Sequence, residues 1–357
     1  MVDRSADNKT SVAIALSGLD LSPRKFHALV GREKPAGQHH MRYTPDDLRV
    51  ARYKSAGVDP DVFYTAIPHR QTPPVIVTRM TKGGVGKTSI SVNVGCALAM
   101  MGYRVLLIDA DPQATATNLL GVESSFETVK HVGDFLTRKT ATPDKDLAEA
   151  IIPIYAGGFL SLLPADITLA ESDASLVTAL ASHERAHNFL TRNSAFLTAS
   201  YDVVIVDTAP GTTPVGLAFT YAAKATGKVL TVVEPEGSCL RALDSLMSNL
   251  SEIAAVTGVK IGLEVVVNRY HPQLKHVREN MGHLYARFGN MLNENIIPSS
   301  SSFGRQLDPV TRKNTPLIES EAVSPGAAAI IDLAKSIAVS FNLTQPGLPL
   351  REGEAAR

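Results

Sequence analysis

Residues Val75–Ser89 read VIVTRMTKGGVGKTS, and this stretch decides the fold. The β-branched run Val75-Ile76-Val77 is a strand signal. It runs into Lys82-Gly83-Gly84-Val85-Gly86-Lys87-Thr88, and a helical pattern starts directly afterwards. Strand, glycine loop and helix N-terminus together make a phosphate cradle. The glycines allow backbone angles and close approaches that a Cβ would block, so successive N–H groups can turn toward an anion. The helix start adds unpaired N–H groups and the positive end of its dipole.

The general pattern G-x-x-x-x-G-K-[ST] asks for a glycine where this chain has Thr81. In exchange the loop carries a second lysine, Lys82, at its start. The stretch KGGVGKT resembles the deviant P-loop of the ParA/MinD family of ATPases. That resemblance implies ATP and Mg²⁺ as cofactors. It assigns phosphate binding to Gly83, Gly84, Val85, Gly86, Lys87, Thr88 and Ser89, a metal-ligating hydroxyl to Thr88, and a catalytic reach across a dimer interface to Lys82.

Downstream of the helix at 89–102 comes a continuous apolar run, Val105-Leu106-Leu107-Ile108, of the kind that both faces of a parallel sheet bury. It ends in Asp109-Ala110-Asp111-Pro112-Gln113. The run LLIDADPQATAT resembles the second phosphate-site motif of ParA-type proteins, which implies that Asp111 orients the attacking water and Asp109 supports the metal shell. A bland alternative makes Asp111 the N-cap of a helix over 114–120. A third apolar strand, Val203–Val206, ends in Asp207-Thr208-Ala209-Pro210-Gly211, the arrangement in which an aspartate faces the Mg²⁺ shell. Two further strand–helix units follow. By the same resemblance Asn268, with Arg269 beside it, reads the adenine edge, and Glu234-Pro235 lies near ribose and base.

Composition sets bounds on the rest. The chain has 357 residues, 44% hydrophobic and 20% charged, with zero formal net charge, which excludes a uniformly basic nucleic-acid binder. Two cysteines, Cys96 and Cys239, are too few for a disulfide framework. No apolar run is long enough to span a membrane and no leader pattern opens the chain, so a cytoplasmic protein is expected; the ParA-type resemblance implies one associated with the nucleoid and not with a membrane. His183 and His187, four residues apart, are expected to be surface histidines on a helix over 181–199 rather than metal ligands.

Charge is uneven along the chain. Residues 1–72, closed by the Pro-rich link at 67–74, are expected to form a separate helical module of helix-turn-helix or winged type. Ser22-Pro23 starts one helix and Thr44-Pro45 another, and Arg42–Leu48 looks like the wing-to-helix passage of MerR-like DNA-binding modules. Arg24, Lys25 and Arg42 are its candidate DNA contacts. Within 268–313 the candidates are Arg278, Arg305, Arg312 and Lys313, where ParA-type proteins carry a surface for DNA of any sequence. The segment 344–357, with Pro346, Gly347 and Pro349, is read as a tail unsuited to an amphipathic membrane helix.

The sequence is therefore expected to give a doubly wound, mainly parallel α/β P-loop domain over 73–343. By resemblance it is a DNA-segregation ATPase that forms a homodimer on ATP, binds DNA, and is stimulated by a ParB-type centromere-binding protein. The rival classes are a nucleotide-modulated repressor and a MinD-like positioning ATPase. An iron-protein relative would need cluster cysteines that Cys96 does not supply.

Overall fold

The computed structural model describes residues 8–31, 41–55, 57, 72–122, 129–155, 158–225, 228–306 and 314–343. Among them, nine strands are β1 (Asn8–Lys9), β2 (Arg42–Tyr43), β3 (Val75–Thr78), β4 (Val105–Ala110), β5 (Ile152–Tyr155), β6 (Leu160–Leu163), β7 (Val203–Thr208), β8 (Lys228–Val233) and β9 (Gly262–Val267). The helices of eight residues or more are α1 (Thr10–Ser17), α2 (Pro23–Val30), α3 (Pro45–Ser55), α4 (Lys87–Met100), α5 (Leu169–Val177), α6 (Arg185–Arg192), α7 (Pro214–Ala222), α8 (Gly237–Thr257), α9 (Lys275–Phe288) and α10 (Pro325–Ser340).

Seven strands form one sheet in the order β5-β6-β4-β7-β3-β8-β9. All neighbours run parallel except β5 and β6, and β5 is an edge strand that tolerates Pro153 because its outer side needs no ladder partner. Strands β4 and β7 are buried along their whole length, as their apolar runs predict. Helix α4 is buried nearly all round because α10 covers the side that does not face the sheet.

The connections place the site. From β3 the chain crosses over β7 to reach β4, while from β7 it crosses over β3 to reach β8. These neighbouring strands send their connections in opposite directions, which opens a crevice at their carboxyl ends. Four helices start with a Ser or Thr cap followed by proline, the first two as the sequence indicates. Ser22 accepts from the Lys25 N–H, Thr44 from Asp47, Thr213 from Gly216 and Ser324 from Ala327.

The N-terminal residues form β1-α1-α2-β2-α3, with β1 and β2 antiparallel and α1, α2 and α3 in mutual contact. Phe26, Leu48 and Tyr43 lie in their shared core, where Phe26 and Tyr43 meet edge to face. Arg52 fastens this unit to the end of α4. Its buried guanidinium donates to Ser17 O at 2.5 Å, Leu16 O at 3.5 Å and Met101 O at 3.1 Å. The expected continuous helix over 181–199 is corrected. A 3-10 turn at Ser182–Glu184 precedes α6, and a second helix, Ser194–Ser200, follows a break at Asn193. Asn193 is buried, and its amide exchanges hydrogen bonds with Asp144 that an unbroken helix would misdirect.

Candidate nucleotide site

Register sets the first acidic pair. Thr78 on β3 and Asp109 on β4 both flank Asp207 on the intervening β7. The two carboxylates therefore lie side by side at the sheet's carboxyl edge, each fully buried. Asp109 accepts from Thr117 N–H at 2.9 Å, Thr117 Oγ1 at 2.7 Å and Asp111 N–H at 3.2 Å. Asp207 Oδ1 accepts from Ser91 Oγ at 2.9 Å, while its Oδ2 is buried with no hydrogen-bond partner. Burial, then the neighbouring Asp207 charge, pushes Asp109 up to about 7; burial pushes Asp207 up to about 6, against the Thr88 and Ser91 hydroxyls.

Two buried carboxylates that both resist ionisation, one with an orphaned oxygen, fit a hard divalent cation, which takes oxygen ligands. Thr88, at the first turn of α4, sits within hydrogen-bonding reach of Asp207 and completes an all-oxygen set. The residues expected to hold Mg²⁺ are thus brought together.

The loop itself is built around glycine. Gly86 has φ +91°, and a Cβ there would come within 2.4 Å of Asn268 Nδ2. Asn268 uses that nitrogen to donate to Val85 O at 2.9 Å, leaving its Oδ1 buried and unpartnered. Arg269, at φ 53°, donates from Nη1 to Gly84 O at 2.9 Å and to Glu234 Oε1 at 2.7 Å. So Asn268, Arg269 and Glu234, from the ends of β8 and β9, all converge on one side of the loop. Pro235 is buried beside them. Lys87 is also buried, which pushes its ammonium down, against the pull of Asp207 and Asp111.

Asp111 is not a helix cap. Its Oδ1 accepts from the Gln113 N–H at 2.9 Å, and the short helix Thr115–Leu119 begins after Ala114 in a left-handed conformation. The aspartate thus closes a tight turn and keeps its other oxygen available. Lys82 turns back onto its own chain. Its Nζ donates to Glu236 Oε2 at 2.7 Å and Ser238 Oγ at 2.9 Å, both at the start of α8.

The candidate DNA contacts are scattered. Arg24 and Lys25 are exposed on α2 opposite its buried Phe26 and Val30, and Arg42 is exposed on β2. Arg278 is exposed on α9 and donates to Pro272 O. Arg305 is bound to Glu321 at 2.6 Å and to Ser301 and Ser302, so its charge is already matched. Arg312 and Lys313 lie outside the described residues.

Sequence reasoning missed Arg79, Glu236, Ser238 and Ser91 as neighbours of the phosphate loop. It also passed over Glu184, which completes the letters H-E-x-x-H between His183 and His187. There the chain turns from a 3-10 segment into α6, and the His183 ring meets Tyr221 edge to face with centroids 4.8 Å apart.

A family model described as an AAA domain matches residues 74–263. The sporulation initiation inhibitor protein Soj of Bacillus subtilis is 30% identical over 271 residues, covering 74% of this chain and 98% of that protein. The chromosome-partitioning ATPase Soj of Thermus thermophilus is 27% identical, covering 72% of this chain and 92% of its own. A solved structure titled "Partition Protein" superposes with a TM-score of 0.63 at 16% identity, covering 94% of this chain and 92% of that one. Its likeness concerns fold, and it extends over the N-terminal unit as well as the sheet.

Proposed function

The chain belongs to the ParA-type family of P-loop ATPases, and from that membership we propose that it is a DNA-segregation ATPase that dimerises on ATP. The observation that carries the reading is the position of Lys82. It stands at the mouth of the phosphate loop, held by a half-exposed ion pair with Glu236. Exposed pairs are worth about 0.2–1 kcal/mol, so the amine is free to exchange Glu236 for a better anion.

Phosphates fit the N–H groups of 83–89, with Lys87 as their point charge. Thr88 and Asp207, supported by Asp109, fit the Mg²⁺ that accompanies ATP and neutralises charge on its phosphates. The orphaned Oδ1 of Asn268 is an acceptor suited to an exocyclic amine of a purine, and Glu234 with Pro235 borders the same side. Asp111 orients water for attack, and Lys82 of each subunit reaches the partner's phosphates. Little covalent work falls to the protein; positioning and charge do most of it.

On this reading 1–72 is a DNA-binding module, 73–343 the ATPase domain and 344–357 a tail. Helix α2, with Arg24 and Lys25 on the side away from its core, is the surface offered to an operator, and Arg42, exposed on β2, is a further contact. The basic α9 surface around Arg278 meets DNA of any sequence. A centromere-binding protein of ParB type stimulates hydrolysis, and the protein works in the cytoplasm on the nucleoid. Among the described residues no helix is long and apolar enough to cross a membrane.

Sedimentation velocity with ATP, ADP and no nucleotide tests the proposal, run on the protein and on Lys82→Ala. A dimer formed by the parent with ATP alone, and lost in the variant although ATP still binds, supports it. An oligomeric state indifferent to nucleotide and to Lys82 contradicts it.

A further inference from the structure

Arg79 follows β3 directly and is wholly buried. Its backbone N–H is fixed to Leu230 O on β8 at 2.8 Å, and its guanidinium lies beneath the loop that follows β7. There Nη1 donates to the Gly211 carbonyl, and the group sits within 3.6 Å of where a Cβ on Gly216 would stand, at the start of α7. Both Nε and Nη2 are buried with no hydrogen-bond partner.

Such an arrangement is unfavourable by itself. Burial lowers the guanidinium to about 10, which leaves it charged at neutral pH with two unmatched donors. Replacing a buried, poorly matched charge by an apolar side chain is often neutral or stabilising. Function is therefore the better reason for a cation here, and its neighbours indicate which.

Gly211, at φ +85°, is tied twice to the segment that leads into the phosphate loop. Its N–H donates to Thr81 O at 3.0 Å and its carbonyl accepts from Arg79. Pro210, next to it, lies 3.8 Å from where a Cβ on Gly83 would stand. Arg79 also shares an electrostatic field with Lys87, whose ammonium it helps to push down. The two cations repel each other until negative charge arrives between the loops.

We propose that Arg79 is a positioning residue that couples the terminal phosphate to the loop 208–213. Negative charge brought to Lys87 compensates the buried guanidinium, and the guanidinium in turn holds Gly211 against the phosphate loop. A triphosphate supplies more of that charge than a diphosphate, so the hold on Gly211 reports which nucleotide is bound. The inference rests on nucleotide binding at this loop and not on dimerisation or DNA.

Arg79→Met, of similar length and without charge, and Arg79→Lys, which keeps the charge, test it in the full-length protein. Melting temperature without nucleotide, Kd for Mg²⁺-ADP and for a non-hydrolysable Mg²⁺-ATP analogue, and kcat are measured. Arg79→Met is expected to melt no lower than the parent without nucleotide and to keep ADP affinity within about threefold. Its affinity for the ATP analogue and its kcat each fall about tenfold or more, and Arg79→Lys recovers part of both. A variant that fails to fold or melts several degrees lower, or that loses both nucleotides in parallel or neither, overturns the proposal, since a merely structural arginine gives those results. A parent that binds neither nucleotide overturns the site assignment itself.

Discussion

Replacing Asp207 by Asn gives opposite effects on the free and the nucleotide-bound protein. Asp207 is wholly buried, its Oδ2 has no partner, and burial holds its carboxyl at about 6, above the 3.8 of an ordinary aspartate. An acid whose folded pKa is raised contributes stability below its unfolded pKa and loses it as pH rises through the folded one. Without nucleotide the protein therefore loses stability between roughly pH 4 and pH 7, and Asp109, raised to about 7, acts in the same direction. The Asp207 share at pH 8 is about 3 kcal/mol, at about 1.4 kcal/mol per unit. Asparagine removes that loss but buries a poorly paired amide, which costs about 1 kcal/mol. The net gain near 2 kcal/mol raises the melting temperature by about 3 °C for a chain of this length. Thermal melts without nucleotide are expected to show Asp207→Asn above the parent at pH 8 and the two meeting near pH 5. With Mg²⁺-ATP the order reverses, because the cation has lost its carboxylate. A variant that is less stable than the parent by the same amount at both pH values would refute the reasoning.

Further expectations concern the remaining site and surfaces. Lys87→Ala removes the buried ammonium at the start of α4 and, if that group binds phosphate as proposed, is expected to abolish ATP binding in equilibrium titration. Glu236→Gln frees Lys82 from a pair worth at most about 1 kcal/mol and is expected to change ATP affinity less than fivefold, which the same titration checks. Neutralising Lys275 and Arg278 together on α9 is expected to reduce affinity for random duplex and to flatten its salt dependence by about one log unit per lost phosphate contact. An unchanged salt slope would place the DNA surface elsewhere. Arg52→Met leaves three carbonyls at the junction of the N-terminal unit and α4 without their donor, and a melting temperature several degrees lower is expected.

Local patterns carried most of the fold. Apolar runs ending in aspartate, Ser/Thr-Pro starts and the glycine loop each have a physical cause within a few residues of themselves, and β3, β4, β7, α2, α3 and α4 lie where those causes put them. Contacts between distant segments could not be read this way. Lys82 finds Glu236 across 154 positions, and Arg79 finds Gly211 across 132. A charged residue next to a strand reads as exposed until the loop that covers it is known. The helix over 181–199 breaks for the same kind of reason, since Asn193 bonds Asp144 across 49 positions. The alternative reading of Asp111 as a cap fails because the carboxylate closes a turn instead, and His183-Glu184-Arg185-Ala186-His187 carries metal-site lettering on a stretch where the backbone turns.

The most direct test of the central claim is binding of the purified protein to random duplex DNA with ATP, with ADP and without nucleotide, across a salt series. Binding that requires ATP and weakens steeply with salt is the result expected of an ATP-dependent dimer that carries a DNA surface. Binding that is independent of nucleotide and confined to particular sequences would contradict it and give the main role to the N-terminal unit.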